Sequence, residues 1–191
     1  PFFMGIIISV VVGVVLTLPI SSAAICAAVG ISGGAVLAGV LDGSISMDVW
    51  NGLALAGGAA TVGCCCNMLG FAVISYPDNG VGGLVAQGLG TSMLQVPNLM
   101  RKPVLWIPPV LTSAILGPVS TCIFQLRNNG AAISSGMGTA GLVGPIGIIT
   151  GWSNMPEGYA VGAFDWLGMI LVCFVLPVLL SWAIGKFMRK K

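Results

Sequence analysis

The sequence predicts an all-α, polytopic transmembrane protein with about five spans and two glycine-rich re-entrant or broken-helix segments. Three observations lead there. Of 191 residues, 57% are hydrophobic and 6% are charged, seven basic and five acidic, whereas about a quarter of a soluble domain is charged. The charged positions leave uncharged runs at 1–41, 49–77, 79–100, 103–126, 128–156 and 166–185, each at least the ~20 residues that cross a hydrocarbon core as a helix. Two of those runs are rich in glycine and amides rather than lipid-like side chains. A soluble enzyme, a nucleic-acid binder and a disordered chain are thereby excluded.

Taken in order, the 1–41 run is long enough for two passes, with a break at Pro19-Ile20-Ser21-Ser22. Pro1-Phe2-Phe3-Met4 has no basic n-region and no initiator Met, so 1–191 reads as one transmembrane domain forming the C-terminal part of a longer chain. Runs 49–77 and 103–126 each read as a span, and 166–185 as an apolar span with Pro177 inside it. Run 79–100 holds five glycines, and 128–156 holds seven. Such backbone is tolerated at membrane depth only where protein covers it or water reaches it. Secondary transporters pair such segments around a midplane site, and the two are expected to pack against each other or around one cavity. Extramembrane loops are the alternative.

Arg101, Lys102, Lys186, Arg189, Lys190 and Lys191 account for six of the seven basic residues and place 77–102 and the C-terminus in the cytoplasm. The loops at 42–48 and 157–165, with Asp42, Asp48, Glu157 and Asp165, then lie outside. Arg127 is the exception and fits only as part of the following glycine-rich element or as a ligand contact.

Gly136 to Gly141 matches G-x-G-x-x-G, but without the strand or the βαβ unit that gives that pattern meaning, so tight backbone packing is expected and no cofactor. Cys64-Cys65-Cys66 diverge by about 100° per residue on a helix, and the chain has no His, so buried thiols are expected and no metal site. Gly30 and Gly34, Gly147 and Gly151, and Gly158 and Gly162 have the spacing of close helix contacts. Trp50, Trp106, Trp152 and Trp166 lie near run ends, where aromatic belts form.

No run carries an ionisable residue at its centre, so proton relays and catalytic residues are not expected within this chain. The polar inventory is amide and hydroxyl: Asn67, Gln87, Thr91, Ser92, Gln95, Asn98, Asn128, Asn129 and Thr139. Groups that both donate and accept suit a small neutral solute, sugar-like or nucleobase-like. Positions 87, 91 and 95 would share one helical face. Interhelical hydrogen bonding explains each residue alone equally well.

The stretches LTLPISSAAI (16–25), AGGAATVGCCCNMLGFAVISY (56–76), GGLVAQGLGTSMLQVPNLMRKP (82–103), WIPPVLTSAILGPVSTCIF (106–124) and SGMGTAGLVGPIG (135–147) resemble the C-terminal half of phosphotransferase-system enzyme IIC permeases. Within these, the resemblance is to the stand-alone IIC or perfringolysin-regulator-like subgroup. It implies a permease in a bacterial cell membrane that binds and translocates a sugar-like solute, works with IIA and IIB components that supply any phosphorylation, and forms a homodimer. Characterised sugar permeases of that system place a His and a Glu at the sugar. Here there is no His, and Glu157 falls in an expected outer loop. The alternative implied by the subgroup is a solute-sensing membrane regulator without transport-coupled phosphorylation.

Overall fold

A computed structural model describes residues 1–18, 21–157 and 159–189, and every regular element among them is helical. In chain order the helices are α1 (Phe2–Thr17), α2 (Ser22–Val29), α3 (Leu37–Leu41), α4 (Met47–Val85), α5 (Val96–Arg101), α6 (Ile107–Pro118), α7 (Ala132–Ser135), α8 (Val143–Trp152), α9 (Ala163–Ile170) and α10 (Leu176–Arg189). Wider π turns at Ala86–Gly90, Val119–Ile123 and Leu171–Val175 extend α4 and α6 and join α9 to α10. Three helical stretches are long and apolar enough to cross a membrane: Met47–Gly90, Pro103–Ile123 and Ala163–Arg189. Phe2–Thr17 and Ala140–Trp152 are shorter apolar helices.

α4 is the axis of the molecule, and its composition explains why. Ser46 caps it, accepting a hydrogen bond from the Val49 backbone N–H, and Asp48 sits favourably in its first turn. Its middle, LALAGGAATVGCCCN, has no bulky face, so neighbours approach from every side. Its apolar window is 83% buried, against 33% for α9–α10, whose Phe164, Trp166, Leu167, Ile170, Leu179 and Trp182 remain exposed. α1, α6 and α10 all pack on α4.

A stripe at four-residue spacing, Gly5, Ser9, Gly13 and Thr17, forms the buried face of α1. A Cβ on Gly13 would lie 2.6 Å from the Gly63 carbonyl oxygen of α4, and one on Gly5 would lie 2.8 Å from that of Gly117 in α6. Backbones therefore meet directly, and Ser9 Oγ donates across the seam to the Ser113 carbonyl at 2.8 Å. Two apolar clusters flank α4. Cys64 belongs to one, with Val12, Leu16 and Cys26; Cys65 and Cys66 belong to the other, with Leu116, Ile148, Val172 and Cys173. The cysteine run thus spreads into two cores, as a helical repeat requires.

Neither glycine-rich segment is a continuous helix. Past Pro77, Gly80 (φ 58°, ψ −155°) redirects the end of α4; a π turn follows, then extended backbone at Thr91, a 3₁₀ turn at Ser92–Gln95 and α5. The second segment runs without regular structure to α7, turns at Gly138 (φ 54°) against Cys64, and re-enters helix as α8. The two meet where Thr139 Oγ1 donates to the Gly88 carbonyl at 2.5 Å.

Several expectations are corrected. The second half of run 1–41 is not a helix of spanning length: α2 ends at Gly30 in the left-handed region, and Ser32 Oγ then donates to the carbonyls of Asn128 (3.2 Å) and Gly130 (2.8 Å). Gly30 and Gly34 therefore straddle a helix end; Gly34 abuts the Gly130 backbone, and Gly30 faces open space. Gly147 and Gly151 do make close contacts, with Ser134 and with the Asn129–Gly130 backbone rather than with another long helix. Trp50 belongs to no lipid-facing belt, because it is fully buried and donates to Asn129 Oδ1. Arg127 sits in the segment leading to α7. It donates to Asn51 Oδ1 at 2.7 Å and to Gln125, and it lies 4.6 Å over the Tyr159 ring. The break at Pro19-Ile20, Gly158, and the Lys190 and Lys191 positions lie outside the described residues.

Candidate solute-binding site

The structure divides the nine sequence-derived candidates among three settings. Gln87, Gln95 and Asn98 form a ladder of amides at the redirected end of α4. Asn98 Nδ2 donates to Gln95 Oε1 (3.0 Å), Gln95 Nε2 to Gln87 Oε1 (2.8 Å), Gln87 Nε2 to Ser75 Oγ (3.1 Å), and Ser75 Oγ to the Ala72 carbonyl (3.1 Å). Every donor in that run points inward. Gln87 and Gln95 are buried, Asn98 is exposed, and the Asn98 side-chain oxygen Oδ1 is left as the unused acceptor of the run.

Gln87 and Gln95 meet for a reason other than helical periodicity. Thr91 has extended backbone (φ −155°, ψ 138°), so 87, 91 and 95 do not share a helical face. The chain folds back at Thr91, and the two glutamines approach across the bend. Thr91 itself caps the next turn, its Oγ1 accepting from the Met93 N–H at 3.2 Å.

Asn128 and Asn129 form the second setting. Asn128 Nδ2 donates to Thr61 Oγ1 and Ser134 Oγ, both at 3.0 Å, and its Oδ1 accepts from the Gly130 N–H at 3.1 Å. Asn129 Oδ1 accepts from Trp50 Nε1 at 3.0 Å, and its Nδ2 donates to the Asn154 carbonyl at 2.7 Å. Both amides are buried with donors and acceptors engaged, which makes them a knot holding the 125–131 segment on α4. Asn129 also borders a shallow cavity of about 420 Å³ beside Gly34, Ala132 and Thr150.

The remaining candidates are separate cross-links. Ser92 shares a hydrogen bond with Thr17 (3.2 Å), and Thr139 ties the two glycine-rich segments together. Asn67 Nδ2 donates to the Gly63 carbonyl and Ser113 Oγ, while its fully buried Oδ1 has no partner. The nine residues therefore do not converge on one point.

The amide ladder opens on a cavity of about 490 Å³, within the range that holds a small solute. Gln95 and Asn98 line it with Phe71, Ile74, Ser75, Asp78, Asn79, Leu105, Arg101, Lys102 and Arg189. Arg189 donates to the Ile74 carbonyl and pairs with Asp78 at 3.3 Å, holding the end of α10 against the Pro77 region of α4. Sequence reasoning passes over Ser75, Asp78 and Asn79, and reads Arg101, Lys102 and Arg189 only as orientation signals. Ser75, Asp78 and Asn79, around the Pro77–Gly80 break, were the available signal. Among the described residues, no three His, Cys, Asp or Glu side chains come together as a metal site.

The family model described as phosphotransferase system, EIIC, matches residues 1–191, the whole chain. The chain belongs to the phosphotransferase-system EIIC family. This EIIC chain is therefore a membrane protein of phosphotransferase-system transport, in agreement with its long apolar helices. No curated protein matches it. No solved structure matches it.

Proposed function

We propose that this EIIC chain binds and translocates a small neutral, polyhydroxylated solute of the sugar class, and that the Gln87–Gln95–Asn98 ladder supplies its binding groups. The observation that carries the reading is the family match over the full chain, joined to an amide ladder that ends in a solute-sized cavity. Amides present donors and acceptors to hydroxyls without charge, which is what selective recognition of a neutral polyol requires. Ser75 completes the ladder at its inner end.

In this reading the two interrupted segments are re-entrant elements meeting at Thr139 and Gly88. They complete a permease domain of about five passes, of which α1, α4, α6 and α9–α10 supply four. The cavity and the ends of α5 and α10 face the cytoplasm of a bacterial cell, following the positive-inside rule. IIA and IIB components deliver the phosphoryl group there, since the family places that chemistry in partner proteins. The exposed apolar surface of α9–α10 serves lipid and a second copy in a homodimer.

The test is equilibrium binding of radiolabelled sugars to the purified protein, with Gln87→Leu/Gln95→Leu as the comparison. Saturable binding lost in the double variant supports the site; saturable binding unchanged in it removes the ladder from the solute.

A further inference from the structure

The cavity at the end of the ladder has a second character that a neutral solute does not use. Arg101 and Lys102 at the end of α5 and Arg189 at the end of α10 converge on it, against Asp78 as the acidic group among its described lining residues. Asp78 is already paired with Arg189. The side chains of Arg101 and Lys102 have no hydrogen-bond or ion-pair partner among the described residues. Two uncompensated cations thus share a concave wall, where low-dielectric surroundings focus their field. The ladder adds direction: Asn98 Nδ2 donates inward to Gln95 Oε1, and the Asn98 side-chain oxygen Oδ1 has no hydrogen-bond partner among the described residues, which leaves it as a free acceptor. A ligand that satisfies this wall carries an anionic end for the cations and a hydroxyl donor for Asn98.

We propose that this cavity is a binding site for a phosphate ester bearing free hydroxyls, of the glycerol-phosphate type. Arg101 offers a planar fork and Lys102 a point charge, a combination suited to phosphate oxygens. The same chemistry exists in a soluble ester and in an anionic lipid headgroup. The proposal goes beyond the neutral-solute reading: glycerol 3-phosphate binding by a protein that moves no sugar would leave this site standing and remove only the transport reading.

The experiment uses the purified chain in nanodiscs of neutral phosphatidylcholine, titrated calorimetrically with glycerol 3-phosphate, inorganic phosphate and glycerol at constant ionic strength. In a second arm, phosphatidylglycerol replaces part of the lipid. Glycerol 3-phosphate is expected to bind, and glycerol is not. Arg101→Gln/Lys102→Gln should weaken that binding roughly tenfold or more. The charge-preserving pair Arg101→Lys/Lys102→Arg should keep most of it, which separates lost charge from lost folding. If phosphatidylglycerol blocks the titration, and does so only when Arg101 and Lys102 are present, the ester at this site is the lipid headgroup. Absence of binding in both arms, or equal affinity in the Gln pair, overturns the proposal.

Discussion

Replacing Gln87 and Gln95 by leucine, singly and together, separates the two roles the ladder can have. Gln95→Leu takes the donor from Gln87 Oε1, an atom on a side chain only 4% exposed, and Gln87→Leu takes the acceptor from Gln95 Nε2 on a side chain 7% exposed. Orphaning one buried polar partner costs about 1–3 kcal/mol, whereas removing both partners of a pair can be nearly neutral. Each single variant should therefore lose about 1–3 kcal/mol of stability. The double variant should lose less than the sum by roughly 1 kcal/mol or more, a coupling that a double-mutant cycle resolves. Ser75 keeps its bond to the Ala72 carbonyl and the exposed Asn98 turns to water, so neither adds a large penalty. Tm in detergent, measured beside solute binding, reads both quantities. Additive losses of stability would refute the pairing of the glutamines, and full binding in the double variant would refute their contact with solute.

Gly63→Ala should destabilise by about 1–3 kcal/mol, because its Cβ would overlap the Ser9 carbonyl at the α1–α4 seam and backbone cannot step aside; chemical or thermal unfolding checks this. Gly52→Ala, where a Cβ meets nothing within 4 Å inside α4, should instead stabilise by roughly 0.5–1 kcal/mol in the same assay. Trp50→Phe should cost about 1–3 kcal/mol by leaving Asn129 Oδ1 without its donor, and should speed proteolysis or hydrogen exchange in the 125–131 segment first. Asn79→Cys in a Cys122→Ala background should resist membrane-impermeant thiol reagents in intact cells and react in inverted vesicles; labelling in intact cells would reverse the orientation.

What could be read from the sequence was what depends on local composition. Uncharged runs announce a helical membrane protein, and the glycines of 79–100 and 128–156 announce interrupted helices. Partnerships were not legible where they cross long separations. Trp50 with Asn129 and Thr61 with Asn128 depend on how a non-helical segment is laid over α4, and no periodicity records that. Gln87 and Gln95 are near each other in sequence, yet they meet through the extended Thr91 rather than along a helix, so a period of 3.6 gives the right pair for the wrong reason. Arg101, Lys102 and Arg189 carry an orientation signal in their number, but their convergence on one cavity is a product of tertiary packing.

The most direct test of the transport reading is uptake of radiolabelled sugars by proteoliposomes holding the protein, with and without the phosphotransferase phosphoryl-donor, IIA and IIB components. The account predicts that one sugar accumulates above protein-free liposomes when the donor chain is present, and that Gln87→Leu/Gln95→Leu abolishes the accumulation. Failure of every sugar to accumulate with an active donor chain, or wild-type uptake by the double variant, would contradict it.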